Sequence, residues 1–171
     1  MSPRYEIVAG SVLHVKPLVR SMRPASYAAT QAYGYEPRQA LRRVMQQSHY
    51  CRTALIKGRP VAMWGASGPL LADRANVWLV ISDDLRHMPI AIMREARREL
   101  ALVASRYEEL SATLLPGDAT SVRFAIRLGF CGKDMDGDED AIMADVFDNP
   151  AYRVPLGDAY AIELVWLGGE D

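Results

Sequence analysis

The stretch from Leu110 to Phe130 constrains this chain more than any other. Leu110-Ser-Ala-Thr-Leu-Leu115 is a short apolar run that reads as a buried strand, and Pro116-Gly117 turns the chain. Beyond the turn, Val122, Ala125, Ile126 and Leu128 recur at helical spacing, with Arg123 and Arg127 one turn apart on the other side. Asp118 is placed to cap that helix by accepting a hydrogen bond from an orphaned backbone N–H, and Gly129 to stop it. Any fold for this chain must therefore accommodate a strand, a tight turn, a short capped helix, Gly129-Phe130 and a further strand.

The preceding residues supply the rest of an α/β pattern. Tyr5–Val8 reads as a first strand ended by Gly10. Val12, Val15, Val19 and Met22 fall at helical spacing, with Pro17 in the first turn if the helix starts near His14, and Pro24 breaks it. Ala25 to Gly34 adds a turn or two. Glu36-Pro37 opens a second helix with Ala40, Leu41, Val44 and Met45 on one face. Cys51–Ile56 and Val61–Gly65 read as a hairpin around Lys57-Gly58-Arg59-Pro60. Asn76–Ile81 is a continuous apolar run suited to a central strand buried on both faces. The longest helix follows, with Met88, Ile92, Ala96, Leu100 and Val103 as its apolar stripe; Arg94, Arg97 and Arg98, interleaved with Glu95 and Glu99, form its solvated surface. After Phe130 an acidic loop, Asp134 to Asp140, precedes an expected strand at Ala141–Val146. A Pro-containing connection, Asn149 to Gly157, leads to a final strand at Tyr160–Trp166.

Length and composition bound the function. The chain of 171 residues suits one domain over 1–171, and 50% hydrophobic with 24% charged residues is ordinary globular composition. A net charge of −1 gives no electrostatic reason to expect nucleic acid. Cys51 and Cys131 lack paired-ligand spacing and read as reduced core thiols. No stretch has the apolar length of a signal peptide or a membrane span, so a cytoplasmic protein with no membrane association is expected. The start of a calcium loop is suggested by Asp134, Asp136 and Asp138, but Glu139 stands where its glycine belongs and Asp145 at its twelfth position. His14, His49 and His87 have no ligand spacing, so no metal is expected.

The order of elements, together with the Asp118–Phe130 segment, resembles the GNAT acyltransferase superfamily, whose closing motif is Asn-x-x-Ala, then a Tyr, then Gly-Phe. The resemblance implies an α/β (α+β) fold: a central mixed, mostly antiparallel sheet with a V-shaped splay between the strands near Ile81 and Ser111, flanked by about four helices. It also implies acetyl-CoA or another acyl-CoA as cofactor and a small-molecule or protein amine as acceptor. Cofactor contacts are implied at Val80 and Ile81, at Arg86, His87, Met88 and Ala91 of the loop that opens the long helix, and at Asp118, which stands at the Asn position. In the family that loop reads Arg/Gln-x-x-Gly-x-Gly/Ala, and its free N–H groups and the helix dipole hold the CoA pyrophosphate. Arg86 and Ala91 match this pattern. Pro89 replaces the first glycine and has no N–H to give. Asp83 and Asp84 precede it; a purely structural role for either is to cap a helix.

Acyl transfer to an amine needs a base for the ammonium and commonly an acid for the leaving thiolate. Asp83, Asp84, Glu109 and His87 are the candidate bases. Ala125 stands where the family has its tyrosine, with Phe124 beside it, so Tyr107 or Tyr160 would have to replace that acid.

A narrower resemblance rests on Leu18–Arg23, the helix from Ala40-Leu41 to Ser48, Gly58–Gly65, Pro89 with Arg94–Arg97, and Ser121–Phe130. Together they are similar to the GNAT-like proteins of tailed phages, the T7-type internal virion protein A family. That likeness implies a phage or prophage origin, phage structural proteins as partners, a host-cytoplasmic or virion location, and a monomer or homodimer. It admits a non-catalytic role in virion assembly beside the N-acetyltransferase reading.

Overall fold

The computed structural model describes residues 5–69, 71–131 and 138–167. Its strands are β1 (Tyr5–Ala9), β2 (Ser48–Ile56), β3 (Arg59–Ser67), β4 (Arg74–Ile81), β5 (Glu109–Leu114), β6 (Arg153–Leu156) and β7 (Ala159–Leu167). They form a seven-stranded sheet in the order β1-β2-β3-β4-β5-β7-β6. Six α-helices occur among the described residues: α1 (Val12–Arg20), α2 (Pro24–Ala32), α3 (Pro37–Gln46), α4 (Pro89–Ala104), α5 (Ala119–Arg127) and α6 (Glu139–Asp148). The mixed α/β class is the expected one, with more helices than the expected four or so. The chain divides into two units, residues 1–70 with 77–92 and residues 71–76 with 93–171.

In the first unit β1, β2 and β3 pair antiparallel. Lys57 and Gly58 both take positive φ, 50° and 75°, and close a two-residue turn whose twist matches that of the flanking strands. The expected four-residue turn is therefore too long, because Arg59 and Pro60 already pair with Ile56 and Leu55. A register shift between Ala54 and Leu55 accommodates the proline's missing donor. Ser11 caps α1 by accepting the Leu13 N–H at 3.2 Å. The helix thus starts before His14, and Pro17 lies in its interior. Ala25–Gly34 forms most of a full helix, with Pro24 as its first residue.

Two apolar clusters hold this unit together. One contains Val15, Leu18, Leu41 and Met63, with Trp78 and Val80 packed on it; the other contains Val61, Ala62 and Leu85, with Ile81, Met88 and Ile92. Successive residues of β4 thus serve different clusters, as a period of two requires. Leu79 belongs to neither and is exposed, so β4 is half-buried rather than covered on both faces as expected.

In the second unit β7 pairs antiparallel with β5 and β6. Two expectations fail here. The segment expected as a strand at Ala141–Val146 is helix α6, because Asp138 caps it through the Ala141 N–H (2.8 Å) and Met143 and Val146 share one buried helical face. The connection expected from Asn149 to Gly157 contains β6, and Pro155 is tolerated because β6 ends the sheet. Asp134 and Asp136 of the suggested calcium loop lie outside the described residues; Asp138 is a helix cap and Asp145 lies within α6. Helix α5 is capped as expected, with Asp118 accepting the Ser121 N–H at 3.2 Å. Gly129 takes φ 100°, the left-handed stop that a Cβ would oppose.

Candidate functional site

The chain leaves β4 through Ser82, which is fully buried. Its N–H donates to the Val61 carbonyl (2.8 Å) and its hydroxyl accepts the Asp84 N–H (3.2 Å), capping a 3-10 turn over Asp83–His87. The expectation that Asp83 or Asp84 caps this start is corrected: both lie inside the turn, and the extended residue before it is Ser82. The stretch expected as a loop is thus a 3-10 turn running into α4. The Met88 N–H donates to the Leu85 carbonyl (2.9 Å), and the Ile92 N–H makes the first bond of α4, to the Met88 carbonyl (3.1 Å). Ile90 and Ala91 are therefore the residues of that first turn whose N–H groups precede the intrahelical ladder, and Pro89 contributes none.

Charge at this corner is locally balanced. Arg86 pairs with Asp83 at 3.3 Å, and Arg59 of β3 pairs with Asp84 at 3.2 Å. All four side chains are about half exposed or more, so these pairs hold orientation more than they stabilise the fold. Val80 packs on the first apolar cluster; Ile81 and Met88 pack on the second, so their side chains serve the core. Ala91 sits half-buried in the first turn of α4. The side chains of His87 and Pro89 lie outside the described set.

An unexpected contact covers the edge of β4. Because Ser82 faces β3, the Ile81 carbonyl and the Asp83 N–H point the opposite way. Both are taken by the connector between α1 and α2. The Arg23 N–H donates to the Ile81 carbonyl (3.0 Å), the Asp83 N–H donates to the Ser21 carbonyl (2.9 Å), and Met22 forms an isolated antiparallel bridge with Ser82. One sequence signal could have disclosed it. Pro24 disfavours a helical residue before it, and Arg23 is accordingly extended at φ −58°, ψ 139°.

The remaining candidates lie in the second unit. Glu109 of β5 pairs with Arg74 at 2.8 Å, and the same arginine reaches Glu163 at 2.9 Å. Asn76 donates to the hydroxyls of Ser111 and Thr113, each at 3.2 Å. Asp118 is engaged as the α5 cap, with both oxygens on Ser121. Ala125 is buried in α5, while Tyr107 is half-buried and Tyr160 lies under the Arg153 guanidinium at 4.7 Å. Cys51 and Cys131 are free, half-buried thiols. Burial pushes each up to about 11, so both are poor nucleophiles at neutral pH. His14 shares a hydrogen bond with buried Thr53 at 3.0 Å, and burial lowers its pKa. Among the described residues no group of three His, Cys, Asp or Glu is placed to hold a metal, and no helix is long and apolar enough to cross a membrane.

Acyl-CoA is the cofactor implied by the expected fold, and this corner fits it in kind. The donors at hand are two helix-start N–H groups and a half-exposed Arg86, suited to an anion; the Ile81 carbonyl and the Asp83 N–H share one edge at the end of β4, both engaged by the connector. The fit is weaker than a glycine loop would give, because Pro89 subtracts a donor and Asp83 already holds Arg86.

No family model and no curated protein matches this sequence. Solved structures do match its fold. The GNAT domain of S. lividans PAT superposes with a TM-score of 0.62 at 15% identity, covering 96% of this chain and 90% of that one. An acetyltransferase (GNAT family) from Bacillus anthracis gives 0.61 at 11% identity, with 95% and 92% covered. The PaiA N-acetyltransferase from Thermoplasma acidophilum, solved in complex with coenzyme A, gives 0.56 at 12% identity, with 96% and 99% covered. Likeness at these identities speaks to architecture alone. The seven-stranded α/β fold of this chain is that of the GNAT acetyltransferases.

Proposed function

We propose that this protein binds acyl-CoA and transfers the acyl group to an amine, through a site that departs from the usual pattern. The observation that carries the reading is the corner after β4, where a strand edge, an arginine and the start of a 16-residue helix come together in one unit. It is supported by the fold and by a structural neighbour in complex with coenzyme A. The N–H groups of Ile90 and Ala91 and the Arg86 guanidinium would take the pyrophosphate, and the edge at Ile81 and Asp83 would take the amide-bearing arm. When bound, acyl-CoA supplies the activated thioester. This chain's part is to orient it and to accept the amine's proton, for which Asp83 and Asp84 are the carboxylates in the same unit. Each is held by an arginine. Ala125, at the position where the resemblance implies a tyrosine, has no proton to give a thiolate, so slow turnover is expected.

Titration of the protein with acetyl-CoA by calorimetry, with thermal stability followed in parallel, tests the reading. Saturable binding, with acetylation of some member of an amine and lysine-peptide panel, is the expected result. No heat and no stabilisation at millimolar acetyl-CoA would remove it, since any ligand held by the native state alone raises stability.

A second reading is favoured by the occupied β4 edge together with Ala125: a GNAT-shaped protein without catalysis, serving assembly or protein binding, as in the phage group suggested by Leu18–Arg23 and Ser121–Phe130. It predicts no turnover with any acceptor. Sustained acetyl transfer would sink it.

A further inference from the structure

We propose that Ser21-Met22-Arg23 is a displaceable strap that closes the outer edge of β4 and must leave before an acyl-CoA arm can pair there. The inference rests on the acyl-CoA reading given above. Its basis is the hydrogen-bonding ledger of three residues. Ser82 uses its N–H on β3, which turns the Ile81 carbonyl and the Asp83 N–H outward. A carbonyl and an N–H two residues apart on one edge are what an extended chain with alternating amide groups pairs with. The strap supplies that complement from within the protein, with the Arg23 N–H on one group and the Ser21 carbonyl on the other.

The strap is built to be stable but not permanent. Met22 is buried and sits opposite Ser82 in a single bridge rather than in a ladder. It is bounded by the last turn of α1 and by Pro24, which starts α2 and keeps Arg23 extended. Among the described residues two backbone hydrogen bonds join it to Ile81 and Asp83, and each such bond contributes little net stability because water or a ligand amide can replace it. Once the strap departs, the Ile81 carbonyl and Asp83 N–H need new partners, which an amide-bearing arm provides. Binding is then reduced by the fraction of molecules in which the strap is closed.

Arg23 allows a clean test because its φ of −58° is one that proline adopts. Arg23→Pro deletes the N–H that holds Ile81, whereas Arg23→Ala removes the side chain and keeps the N–H. Acetyl-CoA affinity is measured by calorimetry for the wild type and both variants, after circular dichroism has established that each is folded. Amide exchange of the wild type is followed with and without acetyl-CoA. The strap requires Arg23→Pro to bind about three- to tenfold more tightly than Arg23→Ala, the worth of one released backbone bond. It also requires exchange at Arg23 to speed up with ligand while Asp83 stays protected. Equal affinities and unchanged exchange at Arg23 would overturn the strap and leave the acyl-CoA reading standing. No binding by any of the three at millimolar ligand would overturn both. Should Arg23→Pro fail to fold, the wild-type exchange result decides alone.

Discussion

Lys57 adopts a backbone conformation that a lysine would not choose. Its φ of 50° lies in the left-handed region, where a Cβ crowds the following carbonyl, and the two-residue hairpin requires it. Lys57→Asn is expected to stabilise the protein by about 0.5 kcal/mol, read as a raised urea midpoint with unchanged slope. An unchanged or lowered midpoint would show that the turn does not store this strain. Gly65 is the opposite case. A Cβ there would collide with the Tyr50 carbonyl oxygen and come within 2.8 Å of the Trp78 ring. Trp78 is held in turn by its indole N–H on the Ser48 hydroxyl at 2.8 Å. Gly65→Ala should therefore destabilise by about 1–3 kcal/mol, the usual range for overpacking. A neutral result would mean that the Tyr50 backbone and the Trp78 ring both give way. The left-handed Lys57 was half legible, since a lysine-glycine pair between two apolar runs already signals a turn. The need for glycine at 65 was not, because its cause is a backbone carbonyl and a tryptophan on other strands.

At the scale of elements, α5, announced by its cap, was read correctly, and α6, whose cap went unread, was not. Asp118 was legible because a cap is a contact across three residues. Asp118→Ala should lower stability by about 1 kcal/mol, measured by chemical denaturation, with Asp118→Asn close to the wild type. Helix α6 was missed because its acidic first turn looked like a loop, and the apolar Ile142, Met143 and Val146 also suit a short strand. Ion pairs also join α6 to α5. Glu139 bonds Arg127 at 2.7 and 2.9 Å and also accepts from Arg123, which reaches Asp140 at 3.2 Å. The hydrogen bonds from Arg127 and Arg123 hold the Glu139 carboxyl down at about 2. A depressed carboxyl stabilises the fold above its unfolded value near 4.5, and that contribution fades as pH falls towards 2. Glu139→Gln should consequently melt lower than the wild type at pH 7, with the gap closing between about pH 4.5 and 2. A gap independent of pH would show that the glutamate acts through shape rather than charge.

At the scale of the molecule, the acyl-CoA reading proposed above turns on Pro89, which stands where the resemblance implies a glycine. Pro89→Gly adds an N–H to the first turn of α4 and removes ring bulk. Acetyl-CoA affinity should rise about two- to tenfold, the worth of one hydrogen bond to an anion at a helix start. Unchanged affinity by calorimetry would place the pyrophosphate elsewhere. The sequence by itself determined the α/β class, the order of most strands and helices, and that Pro89 has no N–H and Ala125 no proton to give. Those follow from periodicity, caps and side-chain identity, which act over a few residues. Only the tertiary structure decided which backbone groups at the end of β4 are spoken for. Ser82 turns to β3, and the connector at Ser21–Arg23 takes the Ile81 carbonyl and the Asp83 N–H. Every peptide carries the same donor and acceptor, so no residue type marks this pairing; it exists only once distant segments of the chain are brought side by side.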